Sequence, residues 1–258
     1  MVLCYEHGKL SEQQTYLEAL LLEQSAAPVI SIVGAGGKTT TALYLAQEYI
    51  RMKVPVAVTT STHMQVWDEP WFLLEESKEF FQQILKREGQ VWFGLPVEIK
   101  NETGRIPAED IRKMQSVSRV FFKYVADRKI PIIIEADGAR RMPCKAPGEQ
   151  EPVLYPETTD VLAVYGLDAV GRPIREVCFR SETVAEILEK EESEYLTPED
   201  IAKLALSRQG GRKNVLSDQR YCVILNKADD QSRLEMAESI CGEIKSRENV
   251  QVIVTAHS

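Results

Sequence analysis

The segment Gly34-Ala35-Gly36-Gly37-Lys38-Thr39-Thr40 holds the residue types that a phosphate group needs, in a workable order. Glycines let the backbone turn sharply and aim several N–H groups at one oxyanion. Lys38 follows, with the reach for β- and γ-phosphates, and the Thr39 hydroxyl is placed to ligate Mg²⁺. An apolar, β-branched run leads in and a helix leads out, so a partial positive charge faces the loop. The spacing departs from G-x-x-x-x-G-K-[ST], whose first glycine would fall at Ile32. The shorter G-x-x-G-K-T resembles the loop of Mur-type ligases. A dinucleotide fingerprint, G-x-G-x-x-G, fails because Thr39 stands at its third glycine and because Thr59-Thr60-Ser61 stands where an acid is wanted. The loop therefore predicts a bound nucleoside triphosphate, GTP or ATP, with Mg²⁺.

A phosphate site of this kind wants a carboxylate from a neighbouring strand. Ile132-Ile133-Ile134-Glu135-Ala136-Asp137-Gly138 supplies two. Alternation along a strand puts Glu135 and Asp137 on the same side, where either can hold Mg²⁺ through a water or orient an attacking water. Asp137 stands where the strand opens into a Gly turn, so it is the expected metal partner of Thr39, and Lys38, Glu135 and Asp137 are the candidate catalytic groups. An Asp that caps a tight turn is the plainer reading. Arg140, Arg141 and Lys145 follow and can hold an anionic second substrate, or form a solvated loop with Glu149 and Glu151. Thr59-Thr60-Ser61-Thr62-His63-Met64 places four hydroxyls and an imidazole at a strand's carboxyl end, as a switch or substrate loop would. His63, Arg140 and Lys145 are thus the substrate candidates.

Asn226-Lys227-Ala228-Asp229 matches N-K-x-D of guanine-nucleotide-binding proteins. A carboxylate at Asp229 accepts from guanine N1–H and the 2-amino group, the Lys227 stem lies over the base, and Asn226 ties the loop. A polar turn after a strand is the alternative.

These residues need a scaffold. Short apolar runs at Pro28–Val33, Val56–Thr60, Val91–Phe93, Ile132–Ile134, Val161–Val164, Tyr221–Leu225 and Val250–Val254 read as strands. Helical patterns fall at 11–24, 38–52, 74–87, 107–127, 181–192, 198–207 and 231–246, and Pro143 to Pro156 reads as a loop. Thr197-Pro198-Glu199-Asp200 is a helix start. Strands alternating with helices predict one α/β domain over 1–258, P-loop NTPase-like, with a mostly parallel sheet covered by helices and a helical insertion at 171–218.

With 258 residues, 44% hydrophobic and 27% charged, the chain can bury a sizeable core. Its net charge of −8 disfavours nucleic acid. No run is long and apolar enough to span a bilayer, and no signal peptide is present, so a cytoplasmic location is expected. Five cysteines, none at C-x-x-C spacing, argue against a zinc site or a disulfide framework. Cys222 and Cys241 read as core, and Cys144, in a polar loop, as the one to test for reactivity.

Taken together, the blocks Val33–Thr41, Thr59–Met64, Glu135–Ala139, Lys145-Ala146-Pro147 with Glu151-Pro152, and Leu225–Asp229 resemble the YqeC family. That family is described as accessory proteins of selenium-dependent molybdenum hydroxylases. The resemblance implies a pathway, with a hydroxylase or its cofactor-maturation proteins as partners, and supplies no reaction. Three functions fit: an NTPase driving a maturation step, a Mur-like transferase or ligase, and a non-catalytic binder of a molybdopterin dinucleotide.

Overall fold

A computed structural model describes residues 1–97 and 113–256. Ten strands form one sheet, in the order Lys9–Gln13, Val2–Glu6, Gln251–Thr255, Arg220–Asn226, Asp160–Gly166, Val29–Gly34, Ile132–Glu135, Val56–Thr60, Gln90–Phe93 and Phe72–Leu73. The strands at 2–6 and 9–13 pair antiparallel; all others pair in parallel. The parallel strands are apolar on both faces because helices cover both. Alternation separates two cores. Ile30, Ile32, Leu162, Val164 and Ile224 pack on one face with Leu45 and Ala46 of the Lys38–Arg51 helix. Val33, Val161, Ala163, Val223 and Leu225 pack on the other, against the helices Ser181–Leu188, Pro198–Leu206 and Gln231–Arg247. The helices within 171–218 therefore share their core with the sheet. A third cluster, around Phe81, Phe93, Phe121 and Phe122, sits under the helices Lys78–Glu88 and Arg119–Ala126.

Local chemistry fixes the helix ends. Ser77, Ser118 and Asp230 each accept a backbone N–H of the first turn. Thr197 and Asp200 form a full capping box ahead of Pro198. Gly89 ends its helix at φ 72°.

Three expectations are corrected. Residues 11–24 are not one helix. The strand Lys9–Gln13 is followed by a single turn, Tyr16–Ala19, which Leu21 stops at φ 54°. The Leu21 and Leu22 amides bond back to Glu18 and Leu17, so the turn buries Leu17, Leu20 and Leu22 while Leu21 stays 58% exposed. The helix expected over 107–127 begins only at Arg119; its residues up to 112 lie outside the described ones. Lys113–Gln115 is a strand that pairs antiparallel with His63–Gln65 and with Leu95–Pro96, burying Met114 between exposed and half-exposed neighbours. The loop at 143–156 contains a short strand, Cys144–Lys145, paired in register with Cys178–Phe179. Cys144 is accordingly fully buried, as are the four other cysteines, so burial sets it apart from a reactive thiol.

Candidate functional site

The glycine-rich loop leaves the sheet at Gly34, between the strands Asp160–Gly166 and Ile132–Glu135. Its first three N–H groups are used inside the protein. Gly34 donates to Asp137 Oδ2 at 3.0 Å, Ala35 to the Val164 carbonyl at 2.8 Å and Gly36 to the Met142 carbonyl at 3.1 Å. The next four, of Gly37, Lys38, Thr39 and Thr40, open the helix. A helix leaves its first four N–H groups without intrahelical acceptors. Gly37 caps this one with no side-chain bond, and among the described residues nothing accepts from the four. They form the N-terminal end of a 14-residue helix, the kind of end that could take an anion.

The glycines are held by contact as well as by conformation. Gly36 has φ +82°, and a Cβ there would run into the backbone of Gly166 and the Pro143 carbonyl. A Cβ at Gly37, φ +137°, would strike the Asn226 amide. Asn226 is the strut beneath the loop: its Nδ2 donates to the Gly36 carbonyl at 2.9 Å, and its Oδ1 accepts from Thr255 Oγ1 at 3.0 Å and from the Lys227 N–H at 2.8 Å.

Above the free amides lies a groove of about 670 Å³, lined in part by Gly36–Thr40, His63, Glu135 and the 138–142 turn. Among the described residues five cationic side chains line it, Lys38, Lys113, Arg140, Arg141 and Lys227, with one carboxylate, Glu135. Such a concentration of positive charge in an acidic chain focuses anions on this spot. Lys38 Nζ donates to the Gly34 carbonyl at 2.8 Å and stands 3.1 Å from Asp137 Oδ1 and 4.0 Å from Glu135 Oε1. Thr39 Oγ1 donates to Glu135 Oε2 at 2.8 Å. Burial pushes the Glu135 carboxyl above the usual carboxylate range, with Lys38 and the Thr39 hydroxyl pulling the other way. A cation placed here would favour its charged form.

The two strand-end acids divide. Glu135 lines the groove. Asp137 is 1% exposed and turns inward, onto Gly34 N–H, Lys38 and Lys145. Thr39 and Glu135, two adjacent oxygen donors, are therefore the pair that fits Mg²⁺, which takes one or two protein oxygens beside phosphates and water. No group of three or more His, Cys, Asp or Glu side chains among the described residues could cage a metal by itself.

The substrate candidates also divide. His63 and Arg140 line the groove, while Lys145 is 2% exposed and spent on Asp137 at 3.0 Å, Glu151 at 2.8 Å and the Gly138 carbonyl at 2.6 Å. The hydroxyls before His63 serve as ties. Thr59, Thr60 and Ser61 donate to the carbonyls of Phe93, Glu135 and Val153. In the N-K-x-D segment, Lys227 meets Asp168 at 2.6 Å, and exposed Asp229 meets Arg233 at 3.1 Å. Lys113, Asp168 and Thr255 escaped sequence reasoning: no local motif marks them, and only the sheet order brings them here.

Glu151 closes the inner network. Burial opposes its charge, but Lys145, Arg180 at 2.7 Å and the Gly148 N–H outweigh that and hold it at about 2. A carboxylate depressed on folding stabilises the protein above its unfolded value and loses that contribution as pH falls through the folded one. The gap from the ordinary 4.5 corresponds to roughly 3 kcal/mol. Urea unfolding of Glu151→Gln should therefore find it less stable than the parent by about that much at pH 7, with the difference shrinking from pH 4.5 towards pH 2. Equal stability at pH 7 would refute the network's contribution.

The YqeC protein family model matches residues 30–182, more than half of the chain. The chain belongs to the YqeC family. The matched region runs from the glycine-rich loop through Asp137, Lys145 and Arg180. A relative from Escherichia coli (strain K12), named Uncharacterized protein YqeC, is 29% identical over 219 residues, covering 79% of this chain and 77% of the relative. Among the described residues, no helix is long and apolar enough to cross a membrane.

Proposed function

We propose that this YqeC-family chain binds a nucleoside triphosphate with Mg²⁺ at the start of the Lys38–Arg51 helix and couples it to the maturation of selenium-dependent molybdenum hydroxylases. One observation carries the nucleotide reading: among the described residues, four unused helix N–H groups open into a groove with five cationic side chains and one carboxylate. Phosphates are held by the amides of 37–40 and by Lys38, and Mg²⁺ by Thr39 and Glu135. When bound there, the ion would offset the negative charge of the phosphates. The pathway rests on the family resemblance alone.

Isothermal titration of GTP, ATP and a molybdopterin dinucleotide, with and without Mg²⁺, tests this. Triphosphate binding that strengthens with Mg²⁺ is the expected result. Binding of the dinucleotide alone would hand the site to the cofactor-binder reading, and no binding of any of them would end the proposal.

Asp229 is the base reader in this account, since Asn226 is occupied beneath the loop. Asp229→Ala should reduce the preference for GTP over ATP by about ten- to a hundredfold, as the loss of a charged hydrogen bond implies. An unchanged preference removes guanine recognition.

His63, Lys113, Arg140 and Arg141 in the same groove favour a second reading, in which the γ-phosphate is transferred to an anionic acceptor as in Mur-like ligases. Phosphate release that requires an added acceptor would select it over hydrolysis.

A further inference from the structure

We infer that Lys145 is a positioning residue for Lys38, holding the charge of Asp137 when Lys38 turns from that carboxylate to a phosphate. The inference rests on the triphosphate reading above and assigns a task to a lysine the groove does not reach. Lys38 is not free: its ammonium lies between the Gly34 carbonyl and Asp137 Oδ1, with side chains 4% and 2% exposed. To serve a phosphate it must exchange that partner. Removing one member of a buried ion pair leaves an uncompensated charge, which is strongly unfavourable.

Asp137 is built to tolerate the exchange because its two oxygens have separate duties. Oδ2 accepts from the Gly34 N–H and faces Lys145 at 3.0 Å. Oδ1 faces the Lys38 ammonium at 3.1 Å and, among the described residues, has no well-directed hydrogen bond. The contact with Lys38 is the exchangeable one. Lys145 cannot follow Lys38 into the groove, since its side chain is 1% exposed and pinned by the Gly138 carbonyl and by Glu151, which Arg180 holds in turn. The set Lys38, Glu135, Asp137, Lys145, Glu151 and Arg180 has equal numbers of cations and carboxylates. Without Lys145, Lys38 becomes the sole cation beside Asp137 and stays there.

The test is GTP·Mg²⁺ affinity by isothermal titration for the parent, Lys145→Met, Asp137→Asn and the double variant. Asparagine keeps an oxygen for the Gly34 N–H and removes the charge. Lys145→Met should bind about ten- to a hundredfold more weakly. Asp137→Asn should bind at least as tightly as the parent, and the double variant should return to within about threefold of it. A purely structural lysine would leave the double variant no better than Lys145→Met, and that result overturns the inference, as does undiminished binding by a folded Lys145→Met. If Lys145→Met fails to fold, Asp137→Asn decides alone: binding more than about tenfold weaker refutes the exchange. A parent protein that binds no triphosphate overturns the nucleotide reading and this inference with it, a result distinct from all the others.

Discussion

A Lys38→Met protein should bind GTP about a hundred- to ten-thousandfold more weakly than its parent while keeping its fold. A charged hydrogen bond contributes about 1.5–3 kcal/mol, and a lysine at this position serves two phosphate groups. Two such bonds correspond to about two to four orders of magnitude in affinity, about 1.4 kcal/mol for each factor of ten. The four helix amides remain and supply the residual binding. The fold survives because both neighbouring acids have a way out. Asp137 keeps Lys145 and the Gly34 N–H. Glu135 keeps the Thr39 hydroxyl, and burial already disfavours its charged form. Titration calorimetry and a thermal melt check both halves. Unchanged affinity in a folded variant would end the phosphate reading of the loop.

Gly36→Ala should instead cost stability. The residue sits at φ +82°, a region that costs a side chain about 1–2 kcal/mol. The added Cβ also meets backbone on both sides, Gly166 and the Pro143 carbonyl, which cannot swing aside as a flexible side chain would. Together these put the loss at about 3–5 kcal/mol, typical of backbone strain with overpacking. For a chain of this size that lowers Tm by roughly 6–20 °C. Gly89→Ala is the internal control. It shares the positive φ, 72°, and has open space around it, so it should lose only the conformational part. If the two variants melt together, contact with Gly166 and Pro143 contributes nothing.

The central strands were legible because helices on both faces demand apolar residues at every position. Ile132–Ile134 and Tyr221–Leu225 could hardly read otherwise. The failures came where periodicity is ambiguous. Leu20-Leu21-Leu22 suits a helix face, yet the run folds into a turn that uses Leu21's positive φ to bury its two neighbours. Lys113-Met114-Gln115 carries the alternation of a strand too briefly to stand out from a charged helix. At the site, the motif letters identified the loop but not which of its amides were free. That depends on Asp137, Val164 and Met142, more than a hundred residues away, which occupy the first three. The inward turn of Asp137 was equally hidden, because it faces a lysine buried where Cys144–Lys145 pairs with Cys178–Phe179.

The strut under the loop has a consequence for biosynthesis. Gly36 is held by Asn226, Asn226 is oriented by Thr255, and the strand carrying Thr255 is itself clasped by Val2–Cys4. A ribosome delivers the glycine-rich loop well before Asn226 and Thr255, at about 5–20 residues per second. The loop therefore waits without its floor until both have been made. A ligand that needs its finished shape can be captured only after residue 255 has left the ribosome, so binding waits on the strand Gln251–Thr255.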